Sequence, residues 1–300
     1  MISIIICSKK KNISANLREN IKITVGLDYE IIVIDNSNNN HSIFSAYNNG
    51  IIQSKFPFLC FVHEDVLFHT KDWGKNLVNH LSDKKTGIIG IAGAKIMTKT
   101  PASWSVSKNY KNILQRNRSN SSTSTEREPR HFQGIRQSAI LLDGVFLAMR
   151  RKLFDEILFD ENFISFHGYD YDISVQSIVS GYNNYVVYDI LLEHFSKGTK
   201  NQQYYLNLMK IHRKWEKKLP LMCNDVSEET KSDIQQIEIK RLKKLVRRLT
   251  RAGFSTIDIL TYLKTFIDIL GTKKAKKELK FVRIRVFIER LFKTPKYLFK

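Results

Sequence analysis

The segment FLCFVHEDVLF, residues 58–68, places one imidazole and two carboxylates directly after an apolar run. Side chains of these types, here His63, Glu64 and Asp65, accept protons and bind divalent cations. Burying such groups without a partner costs several kcal/mol. A strand that ends in these three residues therefore predicts a site where they meet a ligand or an ion.

Two further apolar runs end in polar residues in the same way. Cys7 is followed by Ser8 after ISIIIC, and Asp35 is followed by Asn36 after EIIVID. Continuous apolar strands that alternate with helical segments predict a parallel sheet covered on both faces, and such sheets bind ligands beyond the carboxyl ends of their strands. The predicted strands are 2–7, 30–35, 58–62 and 87–92, and the predicted helices between them are 12–25, 42–54 and 72–82.

The second half of the chain predicts a long polar loop and then more regular structure. Residues 105–138 are rich in Ser, Thr and Asn, which is typical of a functional or disordered loop. Order is expected to resume at 139–151. Residues 170–180 then predict a helix that ends at Gly181. YVVYDILLEHF predicts a strand ending in His194, and 202–218 an amphipathic helix.

Positive charge is concentrated near the end of the chain. The formal net charge is +20, and residues 231–300 hold 20 Lys and Arg against 6 Asp and Glu, which leaves +14 there. Helical periodicity in this region places Ile239, Leu242, Val246 and Leu249 on one face and basic residues on another. Such a segment predicts contact with an anionic surface, either lipid or nucleic acid.

Other features of the sequence indicate the cellular compartment in which the protein is expected. No apolar stretch is long enough to span a membrane, and the first residues are typical of a strand rather than of a signal peptide. The three cysteines have unrelated spacings, which predicts neither a disulfide framework nor a zinc site. We therefore expect a cytoplasmic protein.

Six motifs, in this order, resemble those of family 2-type glycosyltransferases of the GT-A fold. They are IIICSKK, EIIVIDNSN, AYNNGIIQSKFPFLCFVHEDV, LLDGVFLAMRRKLF, FDENFISFHGYDYDISVQSIVSGY and LLEHFSKGT. The resemblance implies an α/β fold with a mostly parallel central sheet flanked by helices. It predicts a GT-A domain over 1–220 and leaves 221–300 as a basic α-helical appendage.

By this resemblance, the first strand and the acid ending the second strand hold the nucleotide of a sugar donor. Cys7 and Ser8 would supply backbone and hydroxyl contacts. Asp35, with Asn36 beside it, would contact uracil or ribose. An ordinary turn after a strand is the alternative interpretation of Asp35 and Asn36.

His63-Glu64-Asp65 stands where this family carries its Asp-x-Asp metal motif, with His63 in place of the first acid. The resemblance implies Mn²⁺ or Mg²⁺ on the donor's diphosphate, with Asp65 and His194 as ligands and Lys197 on the diphosphate. His63 and Glu64 are grouped with the nucleotide contacts. His63 would contact the ribose or, indirectly, the metal, and Glu64 would face the donor sugar or form a salt bridge.

GYDYD matches the acidic pair that opens a helix in this family and supplies the catalytic base. Asp170 is the first choice and Asp172 the second. One of the two is expected to act only as a cap or first-turn acid, favoured by the helix dipole. Asp143 and Gly144 would line the junction of donor sugar and acceptor, unless they form a polar break in a strand. Trp104 would stack on a sugar or lie in the core.

The implied activity is transfer of a sugar from a nucleotide-diphosphate sugar, a UDP-sugar first, to a saccharide or lipid-linked saccharide. It would be inverting, metal-assisted and part of bacterial surface polysaccharide synthesis. A nucleotidyltransferase is the alternative, although CSKKKN lacks the glycine expected in a triphosphate loop. Nucleic-acid binding is disfavoured because the basic charge lies in the tail, and a dehydrogenase because no Gly-x-Gly-x-x-Gly follows the first strand.

The basic tail admits three interpretations. Cationic amphipathic helices bind anionic lipid, which would hold the enzyme on the inner face of the plasma membrane near a lipid-linked acceptor. The same helices could form a homo-oligomer. They could also pack as a bundle whose charges are only solvated.

Overall fold

The structure is a computed structural model, and it describes residues 1–104, 109–116, 123–124, 134–196, 198 and 200–270. The chain forms two compact units. The first comprises Met1–Met97, Trp104–Thr199 and Leu221–Asp225, and the second comprises Thr98–Ser103, Lys200–Pro220 and the described part of Val226–Lys300.

The strands and helices are numbered in chain order. The strands are β1 (Ile2–Ser8), β2 (Tyr29–Asp35), β3 (Phe58–Val62), β4 (Val66–Phe68), β5 (Thr86–Gly90), β6 (Ala92–Ala94), β7 (Ile96–Met97), β8 (Asn109–Lys111), β9 (Ile113–Arg116), β10 (Thr123–Ser124), β11 (Arg136–Ala139), β12 (Leu141–Leu142), β13 (Phe146–Arg150), β14 (Asn183–Val187), β15 (Leu192–His194) and β16 (Leu221–Met222). The helices are α1 (Ala15–Thr24), α2 (Ile43–Gln53), α3 (Trp73–Ser82), α4 (Tyr169–Val179), α5 (Gln202–Lys214), α6 (Glu228–Ser232), α7 (Ile234–Arg251) and α8 (Thr256–Leu270).

A seven-stranded sheet in the order β11-β14-β5-β13-β3-β1-β2 forms the centre of the first unit. Five of its strands run in one direction, while β13 and β11 run antiparallel to their neighbours. Its strands are apolar on both faces because helices cover them, and Ile4, Ile6, Cys60 and Val62 are fully buried. The predicted α/β architecture with a mostly parallel central sheet is confirmed.

The helices begin where the sequence offers a capping side chain. The side chain of Ser14 accepts from Leu17 N at the start of α1, and that of Ser42 accepts from Ser45 N at the start of α2. Each hydroxyl satisfies one of the backbone N–H groups that a helix leaves unpaired at its first turn. These caps fix where the chain leaves the loops that follow β1 and β2.

The strand expected to end at His194 is two strands. β14 ends at Val187 and belongs to the central sheet, whereas β15 joins a four-stranded sheet in the order β10-β9-β15-β4. Two side chains of the first unit hold the segment between these strands, residues 188–191. Asn76 Nδ2 donates to Asp189 O, and Asn112 Nδ2 donates to Ile190 O. His194 therefore lies in a second, smaller sheet.

The region predicted as a loop, 105–138, contains strands β8, β9 and β10 and most of β11. β9 pairs in parallel with β15, so that Gln115 lies opposite His194. Residues 105–108, 117–122 and 125–133 lie outside the described part of the chain. The loop prediction was therefore wrong for β9, in which Ile113 is buried and Leu114 and Gln115 are half-buried.

Helix α7 in the second unit has the predicted apolar face, with Ile239, Leu242, Val246 and Leu249 buried. Arg241 departs from the predicted basic face, because it is buried and donates from Nη1 to Thr98 Oγ1 at 2.6 Å. Among the described residues, no helix is both long and apolar enough to cross a membrane.

Candidate active site

The carboxyl ends of β1, β2 and β3 bring the three predicted polar segments together. Ser8 pairs with Asp35 in the parallel register of β1 and β2, and Asn36 N donates to Ser8 O at 2.8 Å. Ser8 Oγ donates to a carboxylate oxygen of Glu64, and Lys9 N donates to the other at 3.2 Å. Glu64 thus connects the end of β1 to the end of β3.

The side chains that follow β2 form a turn. Asp35 is exposed, and its carboxylate accepts from Ser37 N at 2.9 Å, which lowers its pKa. Asn36 is buried and is bonded to the backbone N and O of His41 at 2.9 and 3.0 Å. Asn36 therefore holds the loop, and Asp35 is open to solvent.

Three side chains near the end of β3 form a candidate metal centre, the triad of His63, Asp65 and His194. Each offers one ligand atom, and these atoms lie within 4.8 Å of one another. The triad forms because β15 runs antiparallel to β4, which puts His194 opposite Val66, and because Phe195 N donates to Asp65 O at 3.0 Å. Two imidazoles and one carboxylate suit Mn²⁺, whereas Mg²⁺ prefers oxygen ligands alone.

The surroundings of the triad favour a neutral His63 and an ionised Asp65. Burial lowers the pKa of His63, and the neighbouring His194 lowers it further. Burial alone would raise the pKa of Asp65, but contacts with His194 and Ser196 hold it well below its usual range. His194 Nε2 lies 3.3 Å from Asp65 Oδ1. An anionic carboxylate beside two imidazoles is a donor set that a divalent cation stabilises.

The two acids of GYDYD lie in different environments at the start of α4. Asp170 is half-buried and accepts from Gly144 N at 3.1 Å and Tyr171 N at 3.0 Å. Burial, and then repulsion from Asp143, raise its pKa to about 7. Asp172 is fully buried and accepts from Gln176 Nε2 at 2.7 Å. The N-cap position of α4 is held by Gly168, so both acids lie in the first turn.

The turn between β12 and β13 lies against α4. Asp143 accepts from Trp104 Nε1 at 2.6 Å and from Val145 N at 3.0 Å. A Cβ on Gly144 would lie 2.1 Å from the hydroxyl oxygen of Tyr169, so only glycine fits here. The structure therefore joins Asp143, Gly144 and Trp104 to the helix that carries Asp170.

Two residues at the triad had no assigned role in the sequence analysis. Tyr169 lies within the GYDYD motif between glycine and Asp170, and its hydroxyl lies 2.9 Å from His63 Nε2. Gln115 fell in the predicted loop, yet its Oε1 lies 3.3 Å from His194 Nδ1. The aromatic residue within an acidic motif was a usable signal for Tyr169, but Gln115 had none. Lys197 lies outside the described residues.

A cavity of about 610 Å³ opens beside the triad. Its lining includes Asp65, Glu64 and Ser196 together with Lys9 and Lys10. Ser14, the N-cap of α1, also lines it, so a helix N-terminus adds to the positive potential of the lysines. Such a lining suits an anion that is also held by a cation at Asp65.

A family model described as "Glycosyltransferase like family" matches residues 3–210. The chain belongs to this glycosyltransferase-like family. No curated protein matches the sequence. Among solved structures, TarS of S. aureus in complex with UDP is similar with a TM-score of 0.54 and 12% identity, over 97% of this chain and 87% of that one.

A second similar structure is that of GalNAc-T7 with UDP, GalNAc and Mn²⁺, with a TM-score of 0.52 and 14% identity. The match covers 72% of this chain and 49% of the GalNAc-T7 chain, so this chain matches about half the length of that protein. These similarities show that the glycosyltransferase-like chain has the GT-A fold.

Proposed function

We propose that this chain transfers a glycosyl group from a nucleoside-diphosphate sugar to a hydroxyl of a saccharide or lipid-linked saccharide. The observation that carries the proposal is the triad of His63, Asp65 and His194 at the carboxyl edge of the parallel strands. It lies beside a cavity lined by lysines, where a diphosphate fits. The GT-A fold supports the proposal, since its TarS and GalNAc-T7 examples hold UDP.

The triad would hold a divalent cation, Mn²⁺ before Mg²⁺ because of its two imidazoles. When bound, such a cation stabilises the negative charge that develops on a departing diphosphate. Lys9 and Lys10 add positive charge to the lining of the cavity. Cys7, Ser8 and Asp35 would contact the nucleoside, and the bonds from Ser8 and Lys9 to Glu64 orient that carboxylate at the same edge.

Asp170 is the base in this proposal. Its carboxylate would accept the proton of the acceptor hydroxyl as that oxygen attacks the anomeric carbon, and a pKa near 7 suits a general base at neutral pH. Asp172 is turned into the protein and bonded to Gln176, which favours a structural role for it. One base and one metal site suffice for direct displacement with inversion.

Asp143 and Trp104 would contact the sugars. The indole N–H of Trp104 donates to Asp143, so the two side chains present a joined polar and aromatic surface next to Asp170. We also propose a role in bacterial surface polysaccharide synthesis in the cytoplasm, at the inner face of the membrane. The exposed cations of α7 support contact with anionic lipid.

Calorimetric titration of nucleoside diphosphates, with and without Mn²⁺, tests the proposal. One nucleotide, UDP first, is expected to bind with a requirement for Mn²⁺, and Asp65→Ala is expected to abolish that binding. Asp155→Ala, which removes an exposed carboxylate outside the site, is the matched control and should bind as the wild type does. No binding of any nucleoside diphosphate, together with salt-sensitive binding of oligonucleotides, would overturn the proposal.

A further inference from the structure

Both imidazoles of the triad have one ring nitrogen bonded to a side chain that is not itself a candidate ligand. His63 contacts Tyr169 of α4, and His194 contacts Gln115 of β9. An imidazole binds a metal only through an unprotonated nitrogen, and the bond made by its other nitrogen decides which one that is. The other hydrogen bonds of Tyr169 and Gln115 therefore determine which nitrogen of each histidine can bind a cation.

At His63, the phenol of Tyr169 meets three groups, namely His63, the carbonyl of Gly144 and the hydroxyl of Tyr47. It is 2.9 Å from His63 Nε2 and donates to Gly144 O at 2.9 Å. A phenol has one proton, and a carbonyl oxygen can only accept. Since that proton goes to Gly144, the phenol oxygen accepts from His63 Nε2–H. The lone pair of neutral His63 is therefore on Nδ1.

At His194, the amide of Gln115 is oriented by two carbonyl groups. Its Nε2 donates to His194 O at 3.0 Å and to Ser196 O at 2.7 Å, which uses both amide protons. Its Oε1, which can only accept, lies 3.3 Å from His194 Nδ1. Nδ1 therefore keeps its proton, and Nε2, which lies 3.3 Å from Asp65 Oδ1 and 3.4 Å from Ser196 Oγ, is the nitrogen that binds a cation when its own proton leaves.

These two tautomers leave the triad with acceptors only. Each histidine then has one nitrogen available for a cation, and the three side chains of the triad each offer one ligand atom within 4.8 Å of the others. Acceptors at this separation repel each other unless a positive charge lies between them. The opposite tautomers would instead allow a histidine N–H to bond to Asp65 and would block the cation.

We propose that Tyr169 and Gln115 are positioning residues that fix the tautomers of His63 and His194, so that both present an unprotonated nitrogen to a divalent cation. The inference rests on the proposed metal-assisted function and assigns it two further residues. It also gives a reason for glycine at 144, because any side chain there would displace the Tyr169 phenol.

The test is the affinity of the full-length protein for Mn²⁺ in the presence of UDP, measured by calorimetry. Loss of an outer hydrogen bond to a ligating histidine typically costs 10- to 100-fold in metal affinity, and we expect about that loss in Tyr169→Phe and in Gln115→Leu. Tyr182→Phe and Asn48→Leu are the matched controls. They remove a phenol bonded to Glu156 and an amide bonded to Phe159 O, and should leave Mn²⁺ affinity unchanged.

A second measurement reads the tautomers directly. Long-range ¹H–¹⁵N NMR spectra of the metal-free, histidine-labelled protein should show Nε2–H for His63 and Nδ1–H for His194. In Tyr169→Phe the His63 signals should move to a mixture of tautomers, and in Gln115→Leu those of His194 should do so. A thermal unfolding scan of each variant separates this effect from general loss of folding.

The outcomes distinguish the inference from the function on which it rests. Equal Mn²⁺ affinity in the wild type and both variants, or the opposite tautomers in the wild type, overturns the inference alone. A wild-type protein that binds UDP but no divalent cation overturns the metal-assisted function, and the inference with it. Weakened Mn²⁺ binding with altered tautomers, in variants that stay folded, supports both.

Discussion

The surroundings of two carboxyl groups in the site shift their pKa values in opposite directions. Contacts with His194 and Ser196 hold the pKa of Asp65 low, whereas burial and the nearby Asp143 raise the pKa of Asp170 to about 7. A metal ligand must stay ionised, and a base must be able to take up a proton near neutral pH. The environments of the two residues therefore separate a ligand from a base.

The raised pKa of Asp170 predicts a pH-dependent stability. Between its ordinary value of 3.8 and about 7, the folded protein binds this proton more tightly than the unfolded chain does. The contribution of Asp170 to stability is therefore lost as pH rises through this window. Asp170→Asn removes this ionisation. The free energy of unfolding of the variant minus that of the wild type should therefore increase from pH 5 to pH 8, by up to ~1.4 kcal/mol per unit of pKa shift.

Urea unfolding of both proteins at the two pH values measures this difference. Asp155→Asn serves as the control, because Asp155 is exposed and its substitution should shift stability equally at pH 5 and pH 8. A difference between Asp170→Asn and the wild type that does not change with pH would show that the Asp170 carboxyl titrates normally.

At the scale of elements, the positions of the first three strands followed from the sequence. Each is a mostly apolar run, and β3 has the predicted bounds of 58–62. Because parallel strands end at one edge, the polar residues after them were predicted to meet, and the bond from Ser8 to Glu64 shows that two of these segments do. The local sequence pattern was therefore sufficient to predict contacts that follow from the direction of the strands.

Contacts that depend on distant pairing could not be predicted in this way. Gln115 reaches His194 through the parallel pairing of β9 with β15, which are separated by 79 positions in sequence. Helix α5 shows the same effect, since it follows β15 closely in sequence but belongs to the second compact unit. Neither residue pattern nor spacing encodes which of several possible neighbours an element will pack against.

The packing of the β12–β13 turn against α4 yields a second prediction. Gly144→Ala would put a methyl group 2.1 Å from the Tyr169 hydroxyl and 2.4 Å from its ring, so the turn or the helix must shift. Overpacking of this kind costs typically about 1–3 kcal/mol. The free energy of unfolding in urea should fall by about that amount.

The matched control is Gly198→Ala, since a Cβ at Gly198 meets nothing within 4 Å. Its free energy of unfolding should stay close to that of the wild type. An unchanged stability in Gly144→Ala would mean that the turn and α4 are not held together as tightly as the distances indicate.

At the scale of the whole molecule, charge is divided between a site with several carboxylates and a basic helical region. Helix α7 buries its apolar residues but leaves Lys240, Lys244, Arg247 and Arg251 exposed. Each cation near an anionic membrane surface contributes about 1 kcal/mol. We therefore predict that replacing these four residues with Gln weakens binding to phosphatidylglycerol vesicles by about 10³-fold, measured by co-sedimentation at low salt.

The choice of control decides between a membrane helix and simple attraction by net charge. Lys22, Lys71, Lys84 and Lys85 are exposed lysines of the first unit, and replacing them with Gln removes the same charge. If α7 is the contact surface, this second variant should bind the vesicles like the wild type, because it leaves the cations of α7 in place. Equal weakening in both variants would leave only non-specific attraction. No vesicle binding by the wild type would favour a solvated bundle or an oligomer instead.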